Sequence, residues 1–112
     1  MKFEIFKNNR NKKFYFNLKS RNGQVVLTSE PCVNKAAVKK CITTVQKNCA
    51  NEKWIETKVN KKGTHTFNIV NTKHNVVGKS VKYNSLTTMK KGMKAVVRAS
   101  ATDTIVDLTA SN

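Results

Sequence analysis

Phe14-Tyr-Phe-Asn-Leu-Lys-Ser-Arg-Asn-Gly-Gln-Val-Val-Leu-Thr28 is the stretch that decides the fold. Phe14, Phe16 and Leu18 alternate with Tyr15, Asn17 and Lys19, the period of a half-buried strand. Asn22-Gly23 is the favoured dipeptide of a type I′ hairpin turn, so Gln24–Thr28 is expected to return as an antiparallel strand. Fifty-one positions later the pattern comes back as His65–Val70 and Val76–Lys79.

Working outward, a shift of 51 lays Phe3–Cys49 on Trp54–Ser100 without a gap, with identities at Phe16/Phe67, Val25/Val76, Val26/Val77, Ser29/Ser80, Lys39/Lys90, Lys40/Lys91 and Val45/Val96. The pairs Phe3/Trp54, Leu18/Ile69, Val38/Met89 and Ile42/Met93 keep the apolar pattern where identity is lost. A repeat of this length is one supersecondary unit. Phe3 and Ile5 flanking Glu4 predict an opening strand, and Asn34 is placed to N-cap a helix running to about Asn48. That helix shows Val38, Cys41, Ile42, Val45 and Cys49 on one face; its counterpart, from Ser85 to about Ala99, shows Leu86, Met89, Met93 and Val96. A third step of 51 takes Trp54 to Ile105, predicting a closing strand within Thr104–Leu108.

The expected fold class is α+β: two tandem βββα(β) repeats, one continuous antiparallel sheet, and two helices on one face. A pseudo-two-fold axis and exchanged end strands complete it. Strands are expected near 2–7, 13–19, 24–28, 53–58, 64–70, 75–79 and 104–108, with 53–58 both closing copy one and opening copy two. All of 1–112 is read as a single domain, with repeat one at 2–51, repeat two at 53–102 and the closing strand at 103–109.

Phe14-Tyr-Phe-Asn-Leu18, Asn22-Gly-Gln-Val-Val26, Thr28-Ser29, Thr44-Val-Gln-Lys-Asn48 and Val106-Asp-Leu-Thr109 resemble the YegP-like family. Gly78-Lys-Ser80, Tyr83-Asn-Ser85 and Gly92-Met93 match its S-x-x-Y-x-S…G-I/M spacing. The resemblance covers nearly the whole chain and implies the two-copy sheet with exchanged strands; it implies no activity. Copy one departs from the pattern, with Cys32 for the Tyr and Cys41 for the Gly.

Lys and Arg number 22 against six Asp and Glu, a formal +16. Residues 1–49 hold eleven basic and two acidic side chains, and residues 50–112 eleven and four, so the charge is spread over the whole domain and forms no basic tail. Such a surface concentrates polyanions around itself. Three cysteines without a CxxC pair argue against a disulfide framework and for a reducing, cytoplasmic setting. The N-terminus lacks the continuous apolar stretch of a signal peptide, and no run could span a bilayer, so no membrane partner is expected.

Six scattered acids give no paired-carboxylate site, with Glu4, Glu56 and Asp107 read as surface charge partners. His65 and His74 stand alone, zinc would need about four ligands at short spacing, and no phosphate-cradling glycine loop occurs. The chain therefore reads as a binding protein rather than an enzyme, with no cofactor, metal or small-molecule substrate. Lys90, Lys94 and Arg98 fall at i, i+4, i+8 with Lys91 alongside, and Lys39, Lys40 and Lys47 are placed to match them on the first helix. Neither helix contains an acid, whereas a merely solvated helix mixes signs through i, i+4 pairs. These seven residues are the candidate nucleic-acid-binding site, for DNA or RNA phosphates. The alternative is a protein-interaction or structural module whose charge serves solubility only. Its contact, with a protein partner or in a homodimer, would be the open sheet face carrying Phe6, Tyr15, Asn17, Lys19, Val26 and Asn68.

Overall fold

Phe3, Ile5, Phe16, Leu18, Leu27, Phe67 and Ile69 are closed to solvent, and the face they share is the one the helices cover. The computed structural model describes residues 1–102 and 104–109. Asp103, which opens the expected closing segment, and residues 110–112 lie outside the described residues. The strands are β1 (Lys2–Lys7), β2 (Phe14–Lys19), β3 (Val25–Thr28), β4 (Ile55–Val59), β5 (His65–Val70), β6 (Val76–Ser80) and β7 (Ile105–Asp107). The helices are α1 (Lys35–Asn48) and α2 (Leu86–Ser100), and a 3₁₀ turn, Glu52–Trp54, leads into β4. Asn34 caps α1 by accepting from the Ala37 N–H, and Ser85 with Thr88 forms a capping box on α2.

The seven strands form one sheet in the order β4-β5-β6-β3-β2-β1-β7. Its centre is the antiparallel pair β3·β6, in which Thr28 faces Lys79, its own counterpart one repeat later. On the helical side Cys49 and Ser100, also counterparts, meet at 3.0 Å between Sγ and Oγ. Both contacts mark the pseudo-two-fold axis. β4 follows α1 but pairs only with β5 of the second copy, and β7 crosses from α2 to the first copy, so the end strands are exchanged.

Five local expectations are corrected. The sheet is mixed, because β7 runs parallel to β1, pairing Phe3 with Ile105 and Ile5 with Asp107. The cause is where α2 delivers the chain: Thr102 Oγ1 donates to Met1 O and Phe3 N to Thr104 O, so the last segment enters beside the start of β1 and must run with it. The hairpin turn is not type I′, since only Gly23 has positive φ (+83°); Gly23 N donates to Ser20 O and Ser20 N to Gln24 O, a three-residue loop with a following bulge. That bulge turns Val26 into the core and off the open face. Leu86, expected in the α2 core stripe, is instead 48% exposed.

The fifth correction is a slip of register. Phe3 pairs with Leu18 and Ile5 with Phe16, but in copy two Ile55 pairs with Ile69 and Thr57 with Phe67. The first strand of copy two is therefore displaced by one residue from the 51-residue alignment, which exchanges its two faces. The loop lengths explain it: residues 8–13 connect β1 to β2, whereas 60–64 connect β4 to β5. Ile55 thus takes the place of Phe3 and Thr57 that of Ile5, and Trp54 is left in the 3₁₀ turn, 5.5 Å from His74. A buried isoleucine contributes about 2 kcal/mol that threonine does not, so β4 packs under its helix more weakly than β1 does.

Candidate nucleic-acid interface

Lys39, Lys40 and Lys47 project from α1, and Lys90, Lys91, Lys94 and Arg98 from α2, each of them exposed. They are held outward because Val38, Ile42 and Val45, and Met89 and Val96, pin the opposite flanks to the sheet. The helices share one face of the sheet and meet at their C-terminal ends. Lys47 and Arg98 occupy those last turns, where positive charge complements the helix dipole.

Among the described residues, none of the seven cations makes an ion pair. Three of the acids, Glu4, Glu30 and Asp107, are paired with other lysines. Glu4, largely buried, receives Lys19 at 2.8 Å and Lys2 at 3.3 Å, and the Lys19 hydrogen bond holds its carboxyl below the usual range despite its desolvation. Asp107 accepts from Thr109 and from Lys35, which bring its pKa down to about 2. Glu30 holds Lys79 at 2.7 Å.

Two surfaces were not legible beforehand. Lys90, Lys94, Arg98 and the acid Glu52 line a groove of about 970 Å³ between α2 and β4, together with Ile55, Met93 and Val97. Arg21, on the β2–β3 turn, shares a second hollow with Arg98, beside Met1 and Ala95. No periodicity flags Arg21, because it reaches α2 only through the hairpin's fold.

The open sheet face offers less. Phe6 and Tyr15 stack on each other at 5.5 Å and 13°, and Tyr15 also accepts from Asn11. Their ring faces are thus engaged together rather than presented separately. His65 exchanges backbone hydrogen bonds with Tyr83. Among the described residues, no three His, Cys, Asp or Glu side chains gather as a metal site, and no helix is long and apolar enough to cross a membrane.

The residues behind the family resemblance hold the fold. Ser29 and Ser80 accept from the Phe16 and Phe67 N–H groups at 2.9 Å, at the same place in each copy. Tyr83 stacks on Phe67 above Gly92. In copy one Cys32 and Cys41 occupy the corresponding space, Sγ to Sγ 3.9 Å. Burial, reinforced by the neighbouring Cys41, pushes the Cys32 thiol up to about 12.

These features define an α+β tandem-repeat protein with two acid-free basic helices on one side of a mixed sheet. The chain belongs to the family described as "Domain of unknown function (DUF1508)", whose model matches residues 9–56 and again 60–107. It is 39% identical over 105 residues to the UPF0339 protein plu2779 of Photorhabdus laumondii, spanning 94% of this chain and 92% of that one. It is 36% identical over 107 residues to the UPF0339 protein YegP of Yersinia pestis, 96% and 95% of the two chains. The solution NMR structure of yegP from E. coli superposes with a TM-score of 0.91 at 32% identity, covering 98% of this chain and 94% of that one. That of the UPF0339 protein SO3888 from Shewanella oneidensis does so with 0.89 at 35%, covering 95% and 89%.

Proposed function

We propose that the protein is a non-catalytic, cytoplasmic binding protein whose α1 and α2 faces hold nucleic-acid phosphates without selecting sequence. One observation carries this reading. Among the described residues, seven exposed cations make no ion pair on two helices that contain no acid, while Glu4, Glu30 and Asp107 pair with other lysines. Cations kept clear of carboxylates are available to an external anion. Six of the seven are lysines, whose compact charge suits loose phosphate contact better than bidentate reading of base edges.

The test is a pair of triple variants, Lys39→Glu/Lys40→Glu/Lys47→Glu on α1 and Lys90→Glu/Lys94→Glu/Arg98→Glu on α2. Fluorescence anisotropy on a labelled DNA duplex and on an RNA strand reads the result. Each triple should weaken binding at least tenfold with little change in melting temperature, because all six side chains face solvent. Parent-like affinity in both variants would remove the helices as the site. A protein-interaction module is the second reading, favoured by the part-apolar groove beside β4.

A further inference from the structure

The two edges of the sheet are built alike but finished differently. On the first-copy side, β1 is covered by β7, and the segment leading into β7 seals the outer flank of α1. Lys35 reaches Asp107 at 3.0 Å, Gln46 Nε2 donates to Thr102 O, and Leu108 N donates to Ile5 O. The counterparts of Lys35 and Gln46 on α2 are Leu86 and Val97. On the second-copy side β4 ends the sheet, and no strand among the described residues covers it. The same flank of α2 is left open there, with Leu86 48% and Val97 38% exposed beside the 970 Å³ groove.

That asymmetry follows from the tandem arrangement. β7 follows α2 and lies outside β1; the strand that follows α1 is β4 itself, which has been used to begin the second copy. The outer place on that side is left without a strand. An edge strand offers unpaired N–H and C=O groups to any extended chain that fits alongside.

We propose that this edge is a docking slot for an extended segment of a partner protein, added parallel to β4 as β7 is added to β1. Its apolar side chains would enter between Ile55, Leu86 and Val97, and its carboxylates would meet Lys90, Lys94 and Arg98. The chemistry of the walls sets the occupant. Where α1 offers Lys35 to Asp107, α2 offers Leu86, so the inward residue at that position is apolar. Lys90, Lys94 and Arg98 make no ion pair among the described residues, and although Glu52 also lines the groove, three cations against one carboxylate favour acidic flanking residues. The proposal does not rest on phosphate binding, which would engage α1 as well.

A displayed library of random twelve-residue peptides, panned against the full chain, tests it. The selected peptides should share apolar residues at alternate positions beside Asp or Glu. One of them, titrated into ¹⁵N-labelled protein, should shift amides of β4 and of α2 from Leu86 to Arg98. Leu86→Asp and Val97→Asp, both at exposed positions, should weaken that peptide at least tenfold while the spectrum stays folded. The α1 triple variant should bind it like the parent. Absence of a shared pattern, or shifts outside β4 and α2, would overturn the proposal. A concentration-dependent dimer abolished by Val97→Asp would assign the slot to a second copy instead, and DNA shifting the same Ile55, Leu86 and Val97 amides would assign it to nucleic acid.

Discussion

Tyr83 occupies the space that a side chain on Gly92 would need: a β-carbon built on Gly92 falls 2.0 Å from the Tyr83 hydroxyl oxygen. Glycine inside a helix costs about 1 kcal/mol relative to alanine, so Gly92 is present for the tyrosine's sake. The signs of two effects are thus opposed. By propensity alone Gly92→Ala would stabilise α2; with Tyr83 in place it should destabilise the protein by about 1–3 kcal/mol through overpacking. The double change Tyr83→Cys/Gly92→Cys, which installs the pair found at Cys32 and Cys41, should recover most of that loss. Urea denaturation decides, and a Gly92→Ala protein as stable as the parent would contradict the packing.

Cys32 should resist alkylation. With its pKa pushed up to about 12 by burial, almost no thiolate forms at pH 8, and the thiolate is the nucleophile. Iodoacetamide should label Cys32 at least about tenfold faster in urea-unfolded protein than in native protein. Because the folded pKa is raised, the stability linked to this group is complete below the unfolded value near 9 and is lost as pH climbs toward 12.

Acid should loosen β7. The Asp107 carboxyl is held down first by Thr109 and then by Lys35, from an ordinary 3.8 to about 2. A lowered pKa stabilises above the unfolded value and is lost as pH falls through the folded one, here between about 4 and 2. The Leu108 amide, which donates to Ile5 O, reports on this by hydrogen exchange. Asp107→Asn should leave that amide weakly protected at every pH and erase its acid transition. Unchanged protection at pH 6 would show that the carboxylate does not hold the strand.

Deleting residues 103–112 should cost about 2 kcal/mol. The loss includes the Phe3–Thr104 and Leu108–Ile5 backbone hydrogen bonds and the rest of the β1·β7 pairing. Burial adds little, since Ile105 is 44% and Leu108 59% exposed. Calorimetry showing a melting temperature equal to the parent's would mean that β7 contributes nothing to β1.

The repeat made the architecture legible because alternation at Phe14–Leu18 and helical spacing at Val38–Val45 each admit one face. It could not reveal the slip at Ile55. Trp54 and Ile55 are adjacent apolar residues, so either one satisfies the pattern, and the shorter 60–64 loop makes the choice. The direction of β7 was hidden for a related reason: three residues alternate identically whether parallel or antiparallel, and the position of the α2 exit decides. The seven cations were readable from spacing, but the groove beneath three of them was not. It exists because Thr57 stands where Ile5 would, and because Leu86 and Val97 have no strand over them.

Salt dependence tests the functional account most directly. The parent protein's affinity for a DNA duplex should be measured from low to moderate salt. If four to six of Lys39, Lys40, Lys47, Lys90, Lys91, Lys94 and Arg98 touch phosphates, log affinity should fall against log salt with a slope of about −4 to −5. The α2 triple variant should flatten that slope by about two to three. No binding to DNA or RNA at low salt, or binding indifferent to salt, would contradict the account and leave the +16 charge a matter of solubility.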